Sequence, residues 1–190
     1  MKSLTDANSS GFSYLIAKDG LIIAKGGLGL ANIENQIPNS TDTIFRAASI
    51  TKQFTAVSIL QLADQGKLTL DDKLEKYFPE LPNAEKITIK NLLNHTSGLW
   101  QQERDEDFPF PIENEVPVTQ HLAYIQQNKP FFEPGEKWKY CDNCYFILGL
   151  IIEKATNVSL ETYMKTTIFD PLGMKNSGLK GKTTQYENSA

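Results

Sequence analysis

Residues 45–56 read FRAASITKQFTA, with a serine at Ser49 and a lysine three residues later at Lys52. Apolar residues recur at helical spacing over residues 50–65, and Gly66 stands where a helix would end. The pattern predicts a helix over this stretch, with Ser49 in its first turn. Lys52 is then the neighbour of Ser49 on the same face, because residues three apart are adjacent on a helix surface.

A serine at a helix N-terminus with a lysine beside it can act as a nucleophile. A hydroxyl at a helix N-terminus lies near free N–H groups and the positive end of the dipole, which favour an alkoxide. A neighbouring amine can take the hydroxyl proton if burial lowers the pKa of that amine. S-x-x-K is a known nucleophile pattern. Because it is short, the spacing alone leaves open a capped amphipathic surface helix without catalytic function.

A second S-x-x-K match begins at Ser177 and ends at Lys180. It contains Gly178 and follows Pro171 and Gly173, a composition that predicts a loop. The first match is therefore the candidate nucleophile.

Composition limits the classes of protein to which the chain can belong. The chain has 190 residues, of which 40% are hydrophobic and 22% charged, as in a soluble globular domain. The net charge is −4 without a basic stripe, which excludes nucleic acid as the expected partner. No apolar run has the length of a membrane span. The first residues lack the apolar core of a secretory signal, so a cytoplasmic location is expected.

Turn and cap signals divide the rest of the chain. Asp19-Gly20 between two β-rich runs predicts a hairpin over residues 11–35, with a bulge or close packing at the glycines that follow. Thr88, Thr119 and Ser159 are predicted to begin helices. Residues 143–156 are strongly apolar and predict a buried helix, in which Gly149 would allow another backbone to approach.

The two cysteines form one C-x-x-C motif, Cys141 to Cys144, and the chain has only two histidines, His95 and His121. A zinc site needs more Cys or His ligands than this one motif and two separate histidines supply, so no metal is expected. Two incidental thiols are the simpler interpretation, and a thiol-based switch is the alternative. His95-Thr96-Ser97-Gly98 is interpreted as a structural turn, because adjacent residues rarely face each other.

Several segments taken together resemble one family. They are residues 45–52, 66–72, 92–99, 134–140 and 171–174, and they occur in the family's order over nearly the whole chain. In these segments the chain is similar to the serine β-lactamase-related hydrolases, which include class C β-lactamases, D-alanyl-D-alanine carboxypeptidases and related esterases. The resemblance implies an α+β chain of the β-lactamase/transpeptidase-like fold, with an N-terminal hairpin of an antiparallel sheet and a mostly helical lobe.

The resemblance also implies acyl transfer by a covalent serine, without a metal or cofactor. Ser49 would be the nucleophile, and Lys52 would help to deprotonate it. Tyr140 matches the first residue of the family's second motif, usually Tyr-x-Asn, and would pass a proton to the leaving group. Asp142 occupies the third position of that motif as a substrate-binding residue, where it replaces an amide donor by an acid. β-Lactams, D-amino-acid peptides and simple esters are the candidate substrates.

The family's third motif, Lys or His followed by Thr or Ser and Gly, has no match. Lys182-Thr183-Thr184 lacks the glycine. The sequence therefore predicts one incomplete domain over residues 1–190, in which C-terminal sheet strands are missing. Its parts would be a hairpin and lead-in (1–48), a nucleophile helix (49–66), a helical lobe (67–178) and a polar tail (179–190). Slow turnover is expected, and a non-catalytic or partner-dependent fragment is the alternative.

Overall fold

A computed structural model describes residues 11–101 and 116–179 of the chain. Its contacts divide the chain into two compact units, one of residues 1–49 with 169–190 and one of residues 50–168. The predicted polar tail lies outside the described residues, apart from residue 179. Within the described ranges, no helix is both long and apolar enough to cross a membrane.

The first unit contains the predicted hairpin. Strand β1 (Phe12–Lys18) pairs antiparallel with β2 (Leu21–Leu28), and Asp19 and Gly20 make the turn with positive φ angles of 53° and 77°. The predicted close packing is confirmed at Gly27, where a Cβ would lie 2.2 Å from the carbonyl oxygen of Asn39. The register shift lies elsewhere, between Ile16 and Ala17 of β1.

A second, shorter hairpin follows in the same unit, and the sequence did not reveal it. Strand β3 (Leu30–Asn32) pairs antiparallel with β4 (Ile37–Pro38). These strands have three and two residues, too few for a periodic pattern to be recognised.

The second unit is helical. Its α-helices in the described ranges are α1 (Thr51–Asp64), α2 (Ile89–Leu93), α3 (Val118–Gln126), α4 (Asp142–Thr156) and α5 (Leu160–Met164). Helix α5 continues as a π-helical segment, Lys165–Phe169. A 3-10 turn, Ala48–Ile50, precedes α1, so the regular helix begins two residues after Ser49 and not at it.

Helix α4 is central to this unit, because α1, α2 and α5 all pack against it. Its buried positions recur at intervals of three and four residues, as expected for one face of a helix. The fully buried large side chains of the unit are Ile59, Leu62, Leu74, Ile87, Ile89, Leu92, Ile125, Ile147, Leu148, Ile151, Ile152 and Met164.

Helix α1 buries Thr55, Ser58, Ile59 and Leu62, and it leaves Val57 and Leu60 exposed. One sequence expectation about packing was wrong in detail. At Gly149, an added Cβ would lie 3.0 Å from the Leu160 side chain, so the close neighbour is a side chain and not a backbone.

Candidate active site

The N-terminus of α4 places two of the predicted site residues. Cys141 is the N-cap, and its Sγ accepts a hydrogen bond from the Cys144 backbone N–H at 3.1 Å. Asp142 is the first helical residue, where the positive end of the helix dipole favours a carboxylate. Tyr140 lies directly before the cap, and its side chain is partly exposed.

Lys52 lies in the first turn of α1, and its ammonium group meets this end of α4. The Lys52 Nζ and the Asp142 carboxylate form an ion pair. The same Nζ lies 4.8 Å from the ring centroid of Tyr140 and 5.7 Å from that of Tyr145. Three of the four predicted site residues, Lys52, Tyr140 and Asp142, are therefore adjacent in the second unit.

The balance of interactions on Lys52 favours its charged form. Burial lowers the pKa of Lys52, but the hydrogen bonds with Asp142 and Tyr140 and the charge of Asp142 outweigh burial and raise it above its ordinary value. The condition under which the amine itself could take the serine proton, a pKa lowered by burial, is not met. Lys52 is an ammonium at neutral pH in this structure.

Ser49 is the middle residue of the 3-10 turn Ala48–Ile50 and is exposed. It is the last residue of its stretch of the first unit, whereas the other three site residues belong to the second unit. Its role as nucleophile remains a prediction from the S-x-x-K spacing. In the competing match, Ser177 lies outside any helix or strand, as predicted, and Lys180 falls outside the described residues.

Two aromatic residues that sequence reasoning did not assign to the site also lie here. The ring of His95 lies 4.8 Å from the Tyr140 ring and 5.2 Å from the Tyr145 ring, between centroids. Burial, together with the charge of Lys52, lowers the pKa of His95, while Asp142 acts in the opposite direction. For His95, the only signal in the sequence was the His95-Thr96-Ser97-Gly98 segment, which was interpreted as a turn.

A buried polar network supports the start of α4. The Asn143 backbone N–H donates to Gln101 Oε1 at 3.0 Å, and its Nδ2 donates to the Trp100 carbonyl at 2.8 Å. Its Oδ1 is 3.0 Å from the Nε2 of His121. Because the buried amide makes these contacts with two other segments, it fixes the first turn of α4 against them.

Both cysteines are buried free thiols. Burial is the main cause that raises the pKa of Cys144 well above its ordinary value, and its Sγ shares a hydrogen bond with Ser97 Oγ at 3.1 Å. A buried thiol with a raised pKa is a poor nucleophile, which favours the structural interpretation over a thiol switch. In the part of the chain that the structure describes, no three His, Cys, Asp or Glu residues are grouped to hold a metal ion.

Comparison with known proteins identifies the family. The Beta-lactamase family model matches residues 2–188, so the chain belongs to the β-lactamase family. It is 35% identical over 170 residues to penicillin-binding protein 4* of Bacillus subtilis (strain 168), which covers 85% of this chain and 36% of that protein.

Solved structures give the same result. A class C β-lactamase aligns with a TM-score of 0.80 and 31% identity, over 96% of this chain and 49% of that one. A D-amino acid amidase from Ochrobactrum anthropi SV3, complexed with D-phenylalanine, aligns with a TM-score of 0.77 and 29% identity, over 87% and 46%. The chain therefore has the β-lactamase/transpeptidase-like fold, and it spans less than half the length of these relatives.

Proposed function

We propose that Ser49 of this chain is the nucleophile of a serine hydrolase that cleaves amide or ester bonds, β-lactams included, through an acyl-serine. The observation that supports it best is the Lys52 ammonium between Asp142 and the Tyr140 ring, three residues after Ser49, in a chain of the β-lactamase family. The proposed site needs no metal or cofactor.

In this proposal Ser49 Oγ attacks the carbonyl carbon of the substrate. Its proton goes to Tyr140, which acts as the general base beside the Lys52 ammonium. The bond from the carbonyl carbon to the leaving nitrogen or oxygen then breaks, and the same proton passes to the leaving group. Water hydrolyses the acyl-serine by the reverse sequence of proton transfers.

Lys52 acts in this scheme as a fixed positive charge. Its raised pKa favours the ammonium at neutral pH, so in this proposal Tyr140 and not Lys52 takes the serine proton first. A charge that is held in place stabilises the negative charge that develops on the oxygen atoms during attack. Asp142 contributes to the raised pKa of Lys52 and is half exposed, so its second oxygen can also meet substrate.

The relatives suggest the substrate class. Their names include a penicillin-binding protein, a class C β-lactamase and a D-amino acid amidase, all of which point to small amides. We propose a small-molecule or short-peptide substrate, either an amide of this kind, such as a β-lactam or a D-amino-acid amide or peptide, or a simple ester. A non-catalytic family remnant, or a fragment active only with a partner, is the alternative.

Intact-mass spectrometry after incubation with a fluorophosphonate or a penicillin tests this proposal. A single adduct is expected on the native sequence and none on Ser49→Ala. Ser177→Ala, which removes the serine of the other S-x-x-K match, is the matched control and should keep the adduct. Absence of an adduct on protein shown to be folded by circular dichroism would contradict the proposal and support the non-catalytic alternative.

A further inference from the structure

The turn after α2 holds the backbone on both sides of Tyr140. The His95 carbonyl accepts a hydrogen bond from the Lys139 N–H at 3.1 Å. The His95 Nδ1 accepts one from the Cys141 N–H at 3.2 Å. The two donors directly precede and follow Tyr140, so one residue fixes the backbone of Tyr140 from both sides.

The rings reinforce this contact. The His95 ring lies against Tyr140 and Tyr145 at interplanar angles of 38° and 40°, and Trp138 meets its edge at 6.1 Å between centroids. The Tyr145 hydroxyl donates to the Leu93 carbonyl at 2.9 Å, a second connection between α4 and the end of α2. His95 also has a φ of +62°, a left-handed conformation that is unfavourable for most residues with a side chain.

The bond to Cys141 requires one protonation state. A nitrogen that accepts a hydrogen bond cannot carry a proton, so His95 must be neutral with its hydrogen on Nε2. A protonated ring would direct an N–H at the Cys141 N–H and would place a second cation near Lys52. In the part of the chain that the structure describes, the titratable residues that contact His95 or act on its charge are Lys52 on α1, Cys141, Asp142 and Tyr145 of the α4 N-terminus and its cap, and Lys139 and Tyr140 of the preceding segment.

We propose that His95 is a positioning residue for Tyr140, whose neutral ring and carbonyl together hold the 139–141 segment so that the tyrosine stays beside Lys52. This inference rests on the proposed function, in which Tyr140 moves the proton. Its consequence is a loss of reactivity at acid pH, where protonation of His95 breaks the bond to Cys141. A purely structural turn would give no such dependence on the charge of one ring.

Two variants separate the roles, and both tolerate a positive φ. His95→Asn keeps an acceptor near the position of Nδ1 but cannot be protonated in this range. His95→Gly keeps the backbone conformation and removes the acceptor. The rate of fluorophosphonate labelling at Ser49 is measured from pH 5 to pH 8 for both variants and for the native sequence.

The native sequence should label more slowly as the pH falls through the titration of His95. His95→Asn should retain most of the labelling rate at neutral pH. Its rate should not show the decrease at acid pH that protonation of His95 causes in the native protein. His95→Gly should label about 10²-fold more slowly at neutral pH, the order of loss caused by misplacing a reacting group by about 1 Å. Native-like labelling of His95→Gly, or an equal loss in both variants, would overturn the inference.

A second measurement does not depend on catalysis. In the native protein, the amide resonance of Cys141 in ¹H–¹⁵N NMR spectra should shift with the same midpoint as the ring resonances of His95. In His95→Asn that shift should vanish. If Ser49 labels in no variant, the proposed function fails, and the NMR titration alone decides whether the contact exists. A Cys141 amide that ignores the His95 titration would overturn the inference in either case.

Discussion

At the scale of single residues, the charge state of Lys52 decides which group can act as the base. Burial and ion pairing act on its pKa in opposite directions, and ion pairing prevails because the Asp142 carboxylate and the Tyr140 hydroxyl both hydrogen-bond the amine. The acid at position 142 is therefore more than a lost amide donor. Together with Tyr140, it raises the pKa of Lys52.

We expect Asp142→Asn to lower the pKa of Lys52, because the variant replaces a bound anion by a neutral amide while burial remains. The pKa can be measured by NMR titration of isotopically labelled, reductively methylated lysines, with Lys52→Arg used to assign the resonance. Asp71→Asn removes the same charge at an exposed position and should leave the titration of Lys52 unchanged. An unchanged Lys52 pKa in Asp142→Asn would show that the ion pair does not determine its charge.

At the scale of elements, local caps explain several helix boundaries. Thr88 Oγ1 accepts from the Asn91 backbone N–H at 3.1 Å, and Asn91 Oδ1 accepts from the Thr88 N–H at 3.0 Å, which forms a capping box at the start of α2. Ser159 accepts from the Thr162 N–H in the same way at α5. These contacts span only three residues, so the sequence could predict them. Thr119 was the exception, because α3 begins at Val118 after Pro117.

Thr88→Ala should lower the free energy of unfolding by about 1 kcal/mol, the usual cost of losing an N-cap side chain. Urea denaturation followed by circular dichroism measures it. Thr119→Ala is the matched control, since Thr119 lies within α3 and Pro117 occupies the cap position, so this change should cost little or nothing. Equal losses in both variants would argue against the capping box.

At the scale of the whole helical unit, two histidines make stability depend on pH. Burial is the main cause that lowers the pKa values of both His95 and His121 below those of free histidine. The unfolded chain therefore binds more protons than the folded one between the lowered values and about pH 6.5. The stabilisation is complete above that range and is lost as the pH falls through it.

The free energy of unfolding should accordingly decrease from pH 7 to pH 5. Urea denaturation at intermediate pH values gives the slope, and His95→Asn and His121→Gln should each flatten it. Carboxylates with lowered pKa values, such as Asp72, act at more acid pH and do not interfere. A free energy of unfolding that is constant over this range, or a slope that both substitutions leave intact, would contradict the prediction.

The range of each interaction explains what the sequence could predict. The hairpin at Asp19-Gly20 and the cap at Thr88 depend on neighbours within a few residues. The fold was predicted from segments that resemble the β-lactamase-related hydrolases and occur in that family's order, and the structural relatives confirm it. The direction of the Lys52 pKa shift and the contacts of His95 depend on partners 90 and 46 residues away, and no local pattern carries that information. The role of Ser49 remains a prediction.

The two hydrogen bonds from residues 139 and 141 to His95 also have a kinetic consequence. They join residues that are 44 and 46 positions apart in the sequence, so forming them requires closure of a long loop. In amide hydrogen exchange, the protons of Lys139 and Cys141 should therefore exchange together, at a rate set by the separation of α2 from α4.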